Sequence, residues 1–439
     1  MQDKTRRSTS TALSRRGFLK GSAATLFVPI VAGKLSAQPR ADDPDVLKVG
    51  LVGCGGRGTG AAAQALSAEN GTVVLTAVGD AFEKQTEHCL QNLAKHLGEP
   101  GAGRIQVDPE HRFFGFDAFQ KVIDSGVDVV LLATPPYFRP EHLKAAVAAG
   151  KHVFCEKPVA VDAPGARSVL EAVEVARAKK LSLVSGFCWR YNVRHRAFYS
   201  RVLGGALGKI RAVYSTYNTG PLRTVERQPQ WSEMEFQLRN WQHMDWLSGD
   251  HITEQAIHSL DKQAWVMGDV PPLRATAVGG RQARFGEGTG NIFDHFGVTF
   301  DYADGVRAFH MCRQIANCTN DNNDWIYGEK GNGTVLGWSN VHEITGENAW
   351  EYEGEGNDMY QQEHDELFAS IRSGRPRNDG RFMTTSTMLA IMARMAAYTG
   401  QTISWEQALD STERLGPKSL EWGPVELAPV PIPGQKEFL

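Results

Sequence analysis

Apolar residues follow two rhythms between residues 46 and 192. Short, nearly unbroken apolar runs alternate with stretches in which apolar residues recur every three or four positions. The first run, "VLKVGLVG" at 46–53, is β-rich and almost free of polar residues, as expected of a strand buried on both faces. "TVVLTAVGD" at 72–80, "VDVVLLATPP" at 127–136, "HVFCEKPVAVD" at 152–162 and "LSLVSGFCWRYN" at 181–192 repeat the pattern. Between them, "GTGAAAQALSA", "FQKVIDSG", "PEHLKAAVAAG" and "PGARSVLEAVEVARAKK" read as helices, with Gly150 placed to end the third. Alternation of this kind predicts an α/β domain over 46–188 with a doubly wound parallel sheet. Ligands of such sheets lie beyond the carboxyl ends of the strands. The loops at Gly53, Asp80, Thr134, Glu156 and Trp189 all belong to that edge.

The chain has 439 residues, too many for one ordinary core, so a second domain is expected over 189–439. Hydrophobic residues make up 41% and charged residues 22%, the values of a soluble globular protein. A net charge of −3 supplies no basic field, which argues against nucleic acid and anionic membrane as partners. No segment beyond residue 38 is apolar for long enough to span a bilayer, so no membrane anchor is expected. The six cysteines, Cys54, Cys89, Cys155, Cys188, Cys312 and Cys318, form no C-x-x-C pair and read as reduced thiols. Cys312 and Cys318 are close enough in sequence to pair, but nothing requires it.

The first residues have a different character. Ser14-Arg15-Arg16-Gly-Phe-Leu-Lys20 resembles the twin-arginine export motif. A short apolar stretch follows from Ala23 to Ala32, and Leu35-Ser36-Ala37 offers small residues for cleavage. The expectation is a signal peptide over 1–37, export by the twin-arginine route and a periplasmic address.

After the first strand, Gly53-Cys54-Gly55-Gly56-Arg57-Gly58 fits G-x-G-x-x-G. Gly53 permits the tight turn, Gly55 lets backbone reach a pyrophosphate, and Gly58 lets helix and strand approach. The helix N-terminus adds free N–H groups and a positive dipole end. Asp80, ending the second strand, is placed for ribose hydroxyls and favours NAD over NADP. Arg57 and Lys84 keep NADP open.

Glu156-Lys157-Pro158 closes the strand at His152–Cys155 and, with the glycine loop, resembles the Gfo/Idh/MocA oxidoreductases. That family includes glucose–fructose oxidoreductase and inositol dehydrogenase. The resemblance implies a Rossmann domain followed by an α+β domain on an open, largely antiparallel sheet, with nicotinamide between them and sugars or cyclitols as substrates. Gly249-Asp-His-Ile-Thr-Glu254-Gln-Ala-Ile-His258-Ser-Leu-Asp261 looks like the family's helix with an acid four residues before a histidine. The family more often has Asp where Glu254 stands. The spacing of Glu254 and His258 puts both on one face of a single helix. The stretches around 360–380 and 384–409 resemble the helical ending of signal-bearing members.

Hydride transfer from a secondary alcohol needs a base and a charge to steady the developing alkoxide. His258 suits the first role, because imidazole titrates near neutral pH, and Lys157 suits the second. Pro158 holds the chain extended and permits a cis bond. Glu254 orients His258 or binds a neighbouring hydroxyl. Thr134, Pro135, Glu156 and Lys157 join Gly53, Gly55, Gly56, Arg57, Gly58 and Asp80 as expected cofactor contacts. Trp189, Arg190, Tyr191 and Asn192 end a strand at the same edge and suit a sugar, the competing reading being packing at the domain junction. Asp250 and His251 lie nearby, but no other spacing supports a metal, and none is expected. "NCTNDNND" at 317–324 reads as a solvated turn.

A nucleotide carried outside the cytoplasm cannot be replenished, so it must be held tightly and regenerated in place. One route oxidises one substrate and reduces another. A second oxidises a glycoside to a transient 3-keto sugar, eliminates the glycosidic oxygen and reduces the ring again, a redox-neutral glycosidase. A third reading is a non-catalytic periplasmic carbohydrate-binding protein, against which Lys157 and His258 both stand. Association into a homo-oligomer is left open.

Overall fold

The computed structural model describes residue 43, residues 45–69 and residues 71–439. The signal expected over 1–37 lies outside the described residues. Six strands form a parallel sheet: β1 (Leu47–Val52), β2 (Val73–Asp80), β3 (Arg112–Phe114), β4 (Val129–Leu132), β5 (His152–Cys155) and β6 (Leu183–Ser185). Their spatial order is β3-β2-β1-β4-β5-β6, and every pair runs parallel. Helices α1 (Gly56–Leu66), α2 (Glu83–Gly101), α3 (Ala118–Asp124), α4 (Arg139–Ala148) and α5 (Ala163–Ala178) make the crossovers. The direction of winding reverses between β1 and β4, which opens a crevice at their carboxyl ends. All four residues of β4 are buried, which accounts for the unbroken apolar run.

A second, nine-stranded sheet follows. Its strands are β7 (Ile210–Thr219), β8 (Arg274–Gly280), β9 (His295–Asp301), β10 (Arg307–Gln314), β11 (Asn323–Gly328), β12 (Gly331–Leu336), β13 (His342–Gly346), β14 (Trp350–Glu351) and β15 (Ile403–Ser404). The order is β14-β13-β12-β11-β7-β10-β9-β8-β15, antiparallel except where β7 lies beside β10. This is the open, largely antiparallel sheet that the resemblance implied. Residues alternate along it: Ala308, His310 and Cys312 of β10 point inward, while Phe309 and Met311 are exposed. Helices α6 (Val193–Leu203), α7 (Glu233–Arg239), α8 (Asp245–Ser248), α9 (His251–Glu254) and α10 (Ile257–Val266) precede or interrupt it. Helices α11 (Met359–Arg372), α12 (Gly380–Thr399) and α13 (Trp405–Asp410) close it.

Three expectations change. The helical ending does not belong to the second sheet alone. Leu367 and Phe368 of α11 share a core with Val49, Leu131 and Phe154, so α11 covers the parallel sheet. Helix α12 is buried on almost every side and joins α5 to the second sheet, in one core that runs from Val52 to Ala408. A cut at 188/189 therefore does not yield two separate bodies.

The expected strand over 181–192 stops at Ser185. Cys188–Tyr191 is a 3-10 turn, and Asn192 caps α6 by accepting from the N–H groups of Arg194 and His195 at 3.0 and 3.2 Å.

The segment 317–324 is only half a solvated turn. Asn317 to Asn320 are exposed, but Asn322 and Asp324 are buried, where they meet Ser259 and Lys262 of α10. All six cysteines are free thiols, five of them buried.

Candidate active site

The glycine loop sorts into structural and ligand-facing positions. Gly53 has φ of +96°, and a Cβ there would lie 2.6 Å from the Ala133 and Thr134 backbone. A Cβ on Gly58 would lie 1.8 Å from the Gly53 carbonyl oxygen, so this glycine seats α1 against the turn. At Gly55 and Gly56 a Cβ would meet nothing within 4 Å, because both face a cavity. Gly55 caps α1 with no side-chain hydrogen bond, which leaves the first-turn N–H groups to an anion. An uncapped N-terminus, an open glycine wall and Asp80 at the rim fit a dinucleotide's pyrophosphate and ribose.

Asp80 accepts from Cys54 N–H at 2.7 Å and Phe82 N–H at 2.9 Å. Burial raises its carboxyl above the usual range, against the pull of those N–H groups. Thr134 and Pro135 line the same cavity, and the Thr134 hydroxyl lies 3.3 Å from His142 Nδ1. Sequence reasoning missed the aromatic part of this wall: Phe82, Phe116 and Phe119, with Leu238 and Trp241 contributed by the α7 region. Phe82 stands two residues after Asp80, and an exposed-side aromatic at the end of β2 was the available signal.

Arg57 is the expected cofactor contact whose side chain turns elsewhere. Its Nε donates to Glu156, its Nη2 meets Glu363 at 3.1 Å, and its Nη1 meets Gln64 at 2.9 Å. Burial opposes the Glu156 charge, but Arg57 and Arg139 hold the carboxyl below its usual range. Burial and the Glu156 charge push Glu363 well up. The guanidinium that kept NADP open is thus occupied by two carboxylates, while Lys84 remains exposed.

Lys157 follows β5, and its bond to Pro158 is cis. Its Nζ donates to the Glu254 carbonyl oxygen and lies 3.4 Å from Glu254 Oε1. The expected single helix is broken here. Helix α9 ends at Glu254, the chain turns through Gln255 and Ala256, and α10 begins at Ile257. Asp250, which has φ of +72°, caps α9 and anchors the segment with a buried carboxylate. That carboxylate accepts from Phe293 N–H at 2.8 Å and from Tyr398 OH at 2.6 Å, and meets His251 Nδ1 at 3.0 Å. Asp250 and His251 are thereby structural. Among the described residues no group of three His, Cys, Asp or Glu side chains is arranged to hold a metal.

His258 Nδ1 is buried and has no hydrogen-bond partner. Burial and the charges of Lys157 and Lys262 press its imidazole well below the usual range, so it stays neutral. Tyr217, at the end of β7, was not foreseen. Burial and the Glu254 charge raise its hydroxyl pKa. Its signal was the β-rich run of β7. The site therefore gathers Lys157, Glu254, His258 and Tyr217.

The expected sugar contacts do not gather there. Arg190 is buried between Trp265 and Phe382 and paired with Asp261 at 2.8 Å and Asp269 at 2.6 Å. Tyr191 is fully buried and donates to Asp379. Asn192 is the α6 cap. Trp189 is half-buried against His195. The buried Asp261 and the half-buried Asp269 claim Arg190 and Asp379 claims Tyr191, so these residues fix the junction of the two sheets.

A glycine-walled helix N-terminus on one sheet and a lysine, neutral histidine and carboxylate at its edge define a dinucleotide-dependent redox protein. Residues 47–185 match the oxidoreductase family's NAD-binding Rossmann domain, and residues 195–333 match the GFO/IDH/MocA C-terminal domain. The chain belongs to the Gfo/Idh/MocA oxidoreductase family. It is 29% identical to 2,7-anhydro-N-acetylneuraminate hydratase of Escherichia coli, over 42% of this chain and 44% of that protein. It is 26% identical to inositol 2-dehydrogenase of Rhizobium meliloti, over 65% of this chain and 74% of that protein. Aldose-aldose oxidoreductase from Caulobacter crescentus has the same fold, with a TM-score of 0.61 and 20% identity over 82% of this chain and 99% of that one.

Proposed function

We propose that this protein is an NAD-dependent oxidoreductase that acts at a secondary alcohol of a sugar or polyol and keeps its nucleotide bound between turnovers. The observation that carries this reading is His258, whose buried Nδ1 has no hydrogen-bond partner and whose ring lies within the field of the Lys157 charge. His258 accepts the hydroxyl proton, Lys157 stabilises the alkoxide as it forms, and Glu254 holds the lysine while accepting from a neighbouring hydroxyl. A nicotinamide dinucleotide held in the glycine-walled cavity would supply the hydride acceptor. Relatives named for inositol and for aldoses agree with a polyhydroxy substrate. With the twin-arginine segment at residues 14–20, the reading places the protein in the periplasm with a recycled cofactor.

A redox-neutral variant of the same first step is the second reading. A relative named as a hydratase, an activity with no net redox change, favours it. One experiment tests both. Mass spectrometry of nucleotide released by denaturing the purified protein is expected to find NAD. Incubation with a panel of polyols and glycosides then yields a ketone, a paired oxidation and reduction, or a cleaved glycoside. Protein that binds no nucleotide and converts no member of the panel overturns the proposal.

A further inference from the structure

The chain does not end at its last helix. Residues 411–439 run without helix or strand, outside the parts that match the family domains. This tail is tied down at both ends and through its middle. Thr412 N–H donates to the Leu439 carbonyl oxygen at 3.3 Å, and Ser411 Oγ donates to the same atom. Leu415 N–H donates to Asp162 at 3.0 Å. Met234 N–H of α7 donates to the Gly423 carbonyl at 3.0 Å, and Gln237 Nε2 of α7 donates to the Val425 carbonyl at 3.3 Å.

Those last two bonds lay the tail over α7, which has only seven residues and adjoins the nucleotide cavity through Leu238 and Trp241. Leu415, Leu420, Val425 and Leu427 pack onto the cluster formed by Phe138, Phe236, Leu238 and Trp246. Trp422 goes further. Its ring lies 5.4 Å from that of Phe82 and 4.8 Å from that of Phe116, and both phenylalanines line the cavity near Asp80. Arg239 of α7 also stacks on Phe82, 4.3 Å from its ring centre. The half of the cavity expected to hold adenosine thus has an inner wall from α7 and an outer layer from the tail.

We infer that the C-terminal tail is a strap that sets how long the nucleotide stays bound, with Trp422 locking Phe82 and Phe116 in place. The inference rests on the dinucleotide reading of the cavity. Release requires Trp422 to leave two aromatic partners and α7 to loosen. Removing two such ring contacts corresponds to roughly tenfold faster release.

The test uses the full chain loaded with NAD and follows exchange against isotopically labelled NAD by mass spectrometry. Trp422→Ala is expected to accelerate exchange by about tenfold or more, Trp422→Phe to stay within about threefold of the native rate, and Phe285→Ala, at an exposed side chain that does not line the cavity, to change nothing. Exchange in Trp422→Ala at the native rate overturns the strap. Acceleration by Phe285→Ala as large as that by Trp422→Ala also overturns it. If Trp422→Ala does not fold, hydrogen exchange of the native chain decides. NAD must then increase protection at Met234 and across 415–428, and unchanged protection there overturns the strap. A native chain that binds no NAD at all condemns the cavity reading itself, and is seen before any variant is made.

Discussion

At the residue scale, the glycines of one loop have separable roles. Gly58→Val would drive a side chain into the Gly53 carbonyl, so loss of the folded protein is the expected outcome, visible as a collapse of the melting transition. A Cβ at Gly55 meets no protein atom within 4 Å, so Gly55→Val should carry no nucleotide and fold with the melting temperature of the nucleotide-free native protein. Nucleotide content and melting temperature, measured together, separate the two. Lys157→Met and His258→Ala should each lower turnover by a factor on the order of 10² to 10⁴ while nucleotide content is kept. Because burial holds His258 neutral, the acid limb of kcat/KM should fall below about pH 6.5, the ordinary imidazole value, and be absent in His258→Ala. The glycine roles were legible in the sequence, since each follows from a fixed backbone motif. The commitment of Arg57 to Glu363 was not, because the partner lies 306 residues away.

At the scale of elements, five of the six parallel strands were legible because burial on both faces leaves an apolar run that needs no partner to be recognised; β3, three residues long with two of them exposed, leaves no such run. The second sheet was known only through resemblance. With one face exposed, strands such as β10 alternate apolar and mixed residues and give no such run. The break between α9 and α10 was hidden as well. Glu254 and His258 have a spacing that a continuous helix and two helices joined by a turn both satisfy. Asp250, which caps α9, is buried against residues 43 and 148 positions away. Asp250→Ala removes those acceptors and puts a Cβ residue without a compensating side chain at φ of +72°. It should destabilise the protein by about 2–4 kcal/mol, checked by denaturant unfolding, and lower turnover by displacing Glu254.

At the scale of the whole molecule, buried histidines set the response to acid. Burial presses His142 and His310 down to about 3 and His243 and His342 to about 4. His195, His258 and His364 are also pressed down, well below the usual range. Unfolded imidazoles take up protons near pH 6.5, whereas these folded ones do not. The unfolded state therefore binds more protons, and stability falls as pH drops through that value, by about 1.4 kcal/mol per pH unit for each histidine. Glu363, Asp80, Asp245, Asp261 and Asp324, raised by burial, work in the opposite direction, five carboxyls against these seven imidazoles. The melting temperature should therefore be distinctly lower at pH 5 than at pH 8, and an unchanged value would show that these rings reach water. The sequence did reveal thirteen histidines, but their burial is a property of the assembled core and of α11 and α12 folding back over it.

The same aromatic wall gives the protein an optical reporter. Of its ten tryptophans, Trp241 borders the cavity and Trp422 touches two of its lining rings. Indole emission overlaps the absorption band of reduced nicotinamide and misses that of the oxidised form. Light absorbed by the protein should therefore re-emerge from the cofactor only while it carries a hydride. A compound that donates hydride would brighten that transferred emission and dim the protein's own, and one that accepts it would reverse both. Substrates can thus be sought by fluorescence alone, on protein that never releases a product into solution.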